Sequence, residues 1–273
     1  IATVVSQIVV VLIFLFFIFF KKVNYLDLNI FRFKYDTNLI KKIFNIGIPS
    51  CLSMMVMSLG LFIINSILAV DIDVAAYNLA NRLENFVILS LIAISTSLVT
   101  VVGMFYGAKR YDLIQDIISY ATTRAIFIAL FFSLIGFFFM DGIVPFFINM
   151  NTSQLDQTIL NNNNNVITNT VQYFKVMSFI FPFVGITMVS TRAMQALDRP
   201  WAMIIIAFFR VIVLQCSLCF VFIRVMDKEL IWAWYAVAIS CIVASLWAYF
   251  WRRKVVEEIM YLMKTGNTDF FIV

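Results

Sequence analysis

The sequence predicts an all-α membrane protein of about seven transmembrane helices, and two observations carry that reading. Long unbroken apolar runs recur along the chain, several of them long enough to cross roughly 30 Å of hydrocarbon. Hydrophobic residues make up 63% of the sequence and charged residues only 13%, far from the balance of a soluble domain. The period-2 alternation of a membrane β-barrel is missing, so the spans are helices that satisfy their own backbone polar groups. No soluble domain can be cut out of such a chain.

In chain order, Ile1 to Phe20 reads as the first span, closed by Lys21 and Lys22. Its basic residues follow the apolar run instead of preceding it, which argues against a cleaved signal peptide. Residues 21–42 form a basic connector able to lie along the membrane face, and they mark a boundary between two bundles. The second span runs from about Ile43 to Val70 and contains Pro49, Gly60 and Asn65. The third, Val74 to Lys109, is followed by a short surface helix, Tyr111 to Tyr120, and a fourth span, about Ala121 to Met140. Residues 141–168 have loop character, with a polar run Asn161 to Asn165 that cannot bury a core. The fifth span, about Val171 to Leu197, carries Pro182 and Gly185 in its middle and should kink there. The sixth, about Trp201 to Val225, contains Arg210 and Gln215, and the seventh runs from about Leu230 to Trp251. Trp232, Trp234, Tyr235, Trp247, Tyr249 and Trp251 read as interfacial anchors near the two ends of that last span. A tail at 253–273 follows.

The third span is the one too polar to be a mere anchor. At 100° per residue Asn78, Arg82, Asn85, Thr96, Thr100 and Gly103 share one side, and Glu84 lies on the flank with Tyr77, Asn81 and Ser95. Ionisable groups in membrane helices are costly and usually face a bundle interior or an aqueous cavity. The candidate pathway residues are therefore Asn65, Asn78, Asn81, Arg82, Glu84, Asn85, Thr96, Gln195 and Arg210. The competing reading places Arg82 and Glu84 nearer the membrane surface, satisfied by headgroups and water. Glu84 lies about 15 Å along the helix from Val74, and Arg210 about as far from Pro200 on the opposite approach, so the two reach one depth where they can pair. The alternative partners for Arg210 are backbone carbonyls or Gln215. Cys51, Cys216, Cys219 and Cys241 fall in apolar segments, and with no histidine in the chain a metal site is not expected. Clustered carboxylates and a serine with an evident base are also missing, which argues against an enzyme.

Four stretches carry a resemblance. Ile46-Gly47-Ile48-Pro49-Ser50 opens one span, Ala76 to Glu84 opens the next, and Val102-Gly103 through Tyr106-Gly107-Ala108-Lys109 closes it. The fourth is Tyr173-Phe174 with Met177, leading to Arg192 through Arg199-Pro200. Together they resemble the second half of a MATE (multidrug and toxic compound extrusion) transporter over about residues 21–252. The resemblance implies twelve helices in two six-helix bundles around a cavity that opens alternately to each side. It also implies export of amphipathic, often cationic, organic compounds in exchange for Na⁺ or H⁺ as coupling ion, with no other cofactor. The chain then divides into the last helix of a first bundle at 1–20, the connector at 21–42, a complete second bundle at 43–252 and the tail at 253–273. A start at Ile1 without methionine fits a C-terminal fragment, whose partners are the missing N-terminal bundle and the lipid bilayer. One family branch has a glutamate near the position of Ser53 and an aspartate near Ile186 and Thr187, so those carboxylates are replaced here. A lipid-linked saccharide flippase of the same superfamily and a seven-helix receptor are the alternatives. Flexible sulfur and aromatic surfaces such as Met54, Met55, Met57, Met177, Met188 and Met194 suit a pocket for varied compounds.

Fifteen of the lysines and arginines fall in one set of alternate loops, three fall in the other (Lys175, Arg224 and Lys228), and Arg82 and Arg210 are intramembrane. The positive-inside rule makes the fifteen cytoplasmic, so the N-terminus lies outside and the C-terminus inside the cell membrane. The net charge of +5 reflects this topology and contact with anionic lipid, and it implies no nucleic-acid partner. Single cysteines at Asn24 and Asn163 in a cysteine-free background should report it. An impermeant thiol reagent applied outside is expected to label the second site only, and labelling of the first site alone would reverse the topology.

Overall fold

The computed structural model describes residues 2–19, 36–68, 71–149 and 157–264. All regular elements among them are helical. They are α1 (Ala2–Phe19), α2 (Thr37–Leu68), α3 (Asp71–Gly107), α4 (Asp112–Phe138), α5 (Met140–Asn149), α6 (Gln157–Ser178), α7 (Phe181–Ala196), α8 (Trp201–Val225) and α9 (Ile231–Lys264). Five of these are long and apolar enough to cross a membrane, and the bent pair α6–α7 makes a sixth. The chain divides into a unit up to Lys41, which holds the apolar helix α1, and a unit from Lys42 onward, which holds the bundle. Most of the connector lies outside the described residues.

The start of α2 sits earlier than the apolar run suggests, because Asp36 caps it. The Asp36 carboxylate accepts from the backbone N–H of Asn38 at 2.9 Å and of Leu39 at 3.3 Å, satisfying donors that a helix start leaves free. Pro49 consequently lies inside the helix and not at its first turn. Two other boundaries differ from expectation in the same direction. Asp112 to Tyr120 is no separate surface helix but the first turns of a continuous α4. At the other end α9 runs on past Trp251 to Lys264, where Arg199 reaches Glu258 across 3.3 Å. The 141–168 region is not a loop throughout: α5 and the first half of α6 occupy much of it, and the Asn161–Asn165 run is helical. Polar composition speaks against burial and not against a helix.

Within the bundle α3 packs on α4, α6 and α7, while α9 packs on α6, α7 and α8. Small residues let these backbones approach. A Cβ on Gly185 of α7 would stand 3.5 Å from the Ala125 carbonyl oxygen of α4 and 3.6 Å from Leu91 of α3. The expected kink is a break, with α6 and α7 meeting at 60° across Phe179 and Ile180. Its cause is chemical. Pro182 has no N–H to give the Ser178 carbonyl one turn earlier, and the Ser133 hydroxyl of α4 donates to that carbonyl instead. In hydrocarbon a freed carbonyl must find such a partner within the protein.

The anchor assignment fails for Trp234, which is fully buried, while Trp232, Tyr235 and Tyr249 are exposed as expected. Arg252 is buried too, with its guanidinium donating to Thr122 of α4 at 2.8 Å and lying over the Tyr249 ring. Helices α3 and α7 end on Lys109 and Asp198, non-glycine residues with φ of 57° and 62°. Each is followed by an N–H that reaches back five residues, Arg110 to Phe105 and Arg199 to Met194, which closes the helix end.

Helix α2 touches the bundle through few, close contacts. Ser53 bonds the Met203 sulfur at 3.3 Å, and a Cβ on Gly60 would fall 2.0 Å from a methyl of Val211. Gly60→Ala should therefore destabilise the protein by about 1–3 kcal/mol through overpacking. Gly47→Ala, with open space at its Cβ, should not; thermal unfolding in detergent separates the two variants.

Candidate functional site

The third helix presents two faces of different character, as its periodicity predicts. Arg82, Asn85, Thr96, Thr100 and Gly103 are exposed and Asn78 is half-buried, whereas Tyr77, Glu84 and Ser95 are buried and Asn81 lies between. Glu84 is 7% exposed, so its carboxylate is held within the bundle and not on the open stripe. It accepts a hydrogen bond from the Tyr173 hydroxyl of α6 at 2.5 Å. Aromatic rings wall this pair. Tyr77 stacks on Trp234 with centroids 5.7 Å apart, and Tyr173 meets Trp234 edge to face at 5.1 Å. Among the described residues the buried indole N–H of Trp234 finds no hydrogen-bond acceptor.

The expected Glu84–Arg210 pair does not form. The Arg210 hydrogen bond goes to the Cys241 sulfur of α9 at 3.6 Å, and no ion pair within 4.0 Å joins it to Glu84 among the described residues. Two features explain the difference. Arg210 sits in a π-helical stretch, Phe209–Cys216, whose wider turn changes the direction of its side chain relative to an ideal α-helix. Helix α3 also extends over 37 residues, about 55 Å, so Glu84 lies some 7 Å to the N-terminal side of its midpoint and not at mid-helix.

The other candidates separate. Gln195 of α7 accepts from Arg192 at 2.9 Å and donates to Ser50 of α2 at 3.0 Å, linking two helices. Asn65 of α2 is half-buried, with a buried side-chain oxygen that finds no donor among the described residues. The amides of Asn78 and Asn81 donate to carbonyls one turn earlier, Val74 at 2.9 Å and Tyr77 at 2.8 Å. The hydroxyls of Ser58, Ser66, Ser90, Ser97, Thr187 and Thr191 do the same and are spent on their own helices. Met54, Met55 and Met57 are exposed, Met188 is half-buried, and Met177 and Met194 are core. Among the described residues no three His, Cys, Asp or Glu side chains come together as a metal site.

Sequence reasoning missed Tyr173, Trp234 and Cys241 as members of the site. The acid was visible as a carboxylate inside an apolar helix. Its partners come from helices about 90 and 150 residues further on, and no local periodicity reports which turn of one helix faces another.

A multi-pass helical membrane bundle with a broken span and a carboxylate buried against that span is the class of protein that this fold defines. The MatE family model matches residues 49–221, and the chain belongs to that family. No curated protein matches it. Among solved structures, a MOP superfamily transporter from Pyrococcus furiosus superposes with a TM-score of 0.84 at 21% identity, covering 94% of this chain and 55% of its own. An outward-facing multidrug resistance MATE family transporter gives 0.84 at 21%, with 94% and 55% covered. A MATE structure in complex with MaL6 gives 0.84 at 20%, with 95% and 56% covered. The chain thus spans about half the length of the solved structures it matches, and family membership removes the seven-helix receptor reading.

Removing the Tyr173 hydroxyl would leave Glu84 without its donor in an apolar setting. Tyr173→Phe should cost about 1–3 kcal/mol. Combined with Glu84→Gln, its effect should be non-additive by at least ~0.5 kcal/mol in thermal unfolding, and simple additivity would show that the contact carries no energy.

Proposed function

We propose that the chain forms one bundle of an ion-coupled antiporter that exports amphipathic organic compounds, in the family's usual case cationic ones, across the cell membrane in exchange for Na⁺ or H⁺. The observation that carries this reading is the Glu84–Tyr173 pair, because a carboxylate buried in a membrane bundle is costly and Tyr173 stands only five residues before the break between α6 and α7. Secondary transporters place their ion and substrate sites beside such discontinuous helices, and they rock one bundle against another around them. A cation arriving at Glu84 competes with the Tyr173 hydroxyl for the carboxylate. That exchange loosens the tie between α3 and the bent span and gives the bundle two packings.

Of the two ions a proton fits the site better. Tyr173 is a donor to the carboxylate, and Tyr77 and Trp234 offer ring faces where a sodium ion would need several oxygens. The charge asymmetry supports a cytoplasmic C-terminus, with the Arg252 end of α9 on the inner side. The flippase alternative would favour a cavity rich in arginine, whereas Arg210 is turned toward Cys241 inside the bundle.

Efflux assays in cells making the protein from its complete reading frame test the reading. Glu84→Gln keeps an acceptor for Tyr173, so abundance and melting should be near normal. Efflux driven by a pH gradient should fall at least tenfold. Unchanged efflux at matched abundance would reduce Glu84 to a structural residue, and efflux that follows a Na⁺ gradient alone would replace the proton.

A further inference from the structure

Arg82 and Glu84, the two charged side chains of α3 beyond its first turn, have opposite fates. Glu84 is turned into the bundle and engaged by Tyr173. Arg82, two residues earlier, is exposed on the other side, and no hydrogen bond, ion pair or ring contact holds it among the described residues. It lies about 10 Å from the midpoint of α3, inside the depth of the hydrocarbon layer. Asn78, four residues before, and Asn85, three after, share its face, and the Asn85 amide is exposed.

Helices α2 and α7 supply no carboxylate to neutralise it within the membrane. From Ile43 to Leu68, α2 contains no ionisable side chain except the thiol of Cys51, and α7 contains Arg192 but no carboxylate. Arg192 is half-buried, hydrogen-bonded to Gln195 and through it to Ser50 of α2. Within the membrane, then, the only formal charge shown outward by α2, α3 and α7 is positive. An arginine at this depth avoids lipid and faces water or a cavity. There its guanidinium offers five donors in a planar fork that matches a carboxylate or phosphate and repels a cation.

We propose that the compounds carried by this protein bear an anionic group, a carboxylate, sulfonate or phosphate, received by Arg82 with the Asn85 amide beside it. This rests on the transporter reading above and departs from the cationic cargo usual in the family. The apolar body of such a compound would lie on neighbouring exposed side chains such as Phe86 and Leu89 of the same helix.

The test uses protein from the complete reading frame in liposomes, with carboxyfluorescein as the anionic probe and ethidium as the cationic one. Both pH and Na⁺ gradients are applied, in vesicles of phosphatidylcholine alone and with phosphatidylglycerol. The expected result is gradient-driven movement of the anion, with Arg82→Gln raising its apparent KM at least tenfold and Arg82→Lys by less than about threefold. Abundance, melting temperature and the response to lipid composition should not change in either variant. Movement of ethidium alone would overturn the anionic cargo while leaving the transporter reading intact. An Arg82→Gln variant with unchanged anion KM, whose melting temperature shifts only in phosphatidylglycerol, would show that a lipid headgroup and not cargo is the partner, and would also overturn it. Movement of neither probe would remove both readings together.

Discussion

A chain immersed in hydrocarbon must find partners for its polar groups within itself, and that constraint explains most of what is unusual here. Its most demanding case is the Glu84 carboxylate. The bundle answers it with one short hydrogen bond from Tyr173 and a wall of rings from Tyr77, Tyr173 and Trp234. Because the donor comes from α6 and the rings from α3, α6 and α9, the contact pins three helices at one level. The same rule operates at the α6–α7 break, where Pro182 deprives the Ser178 carbonyl of a donor and Ser133 replaces it. Breaking a helix is tolerable in a membrane only where a neighbour mends the exposed group.

The bundle is therefore not uniformly stiff. Helices α3, α4, α6, α7 and α9 interdigitate through alanine and glycine, as at Gly185 against Ala125, whereas α2 is held by the Ser53–Met203 and Ser50–Gln195 contacts and the close approach at Gly60. Exposed ion pairs such as Lys175–Asp141, Arg199–Glu258 and Arg253–Glu257 lie near helix ends, where solvent screening leaves them little weight. Stability resides in packing and in the few buried polar links. The Glu84 link is a contact between helices and not within any one helix.

The division of labour along α3 follows from its pitch. Two residues of separation turn Arg82 and Glu84 to different sides, so one helix presents a fixed positive charge outward and a titratable acid inward. The two charges can in that way occupy one helix without neutralising each other. Hydroxyl groups contribute little to either role, because most of those on α2, α3 and α7 are bonded to their own backbone.

By itself the sequence determined the class of fold, most of the apolar helices, the two faces of α3 and a distortion near Pro182. Each is a local matter: apolar length, helical period, and a missing amide hydrogen act over one or two turns. Helix ends were less legible, since Asp36 extends α2 and α6 runs through the asparagine run, and an exposed turn needs no apolar residue to mark it. Only the tertiary structure decided that Glu84 meets Tyr173 and not Arg210, that Trp234 belongs to the core and not the interface, and that Arg252 is buried against Thr122. Those outcomes depend on how helices distant in sequence set their relative height and rotation, and side-chain packing between them sets both.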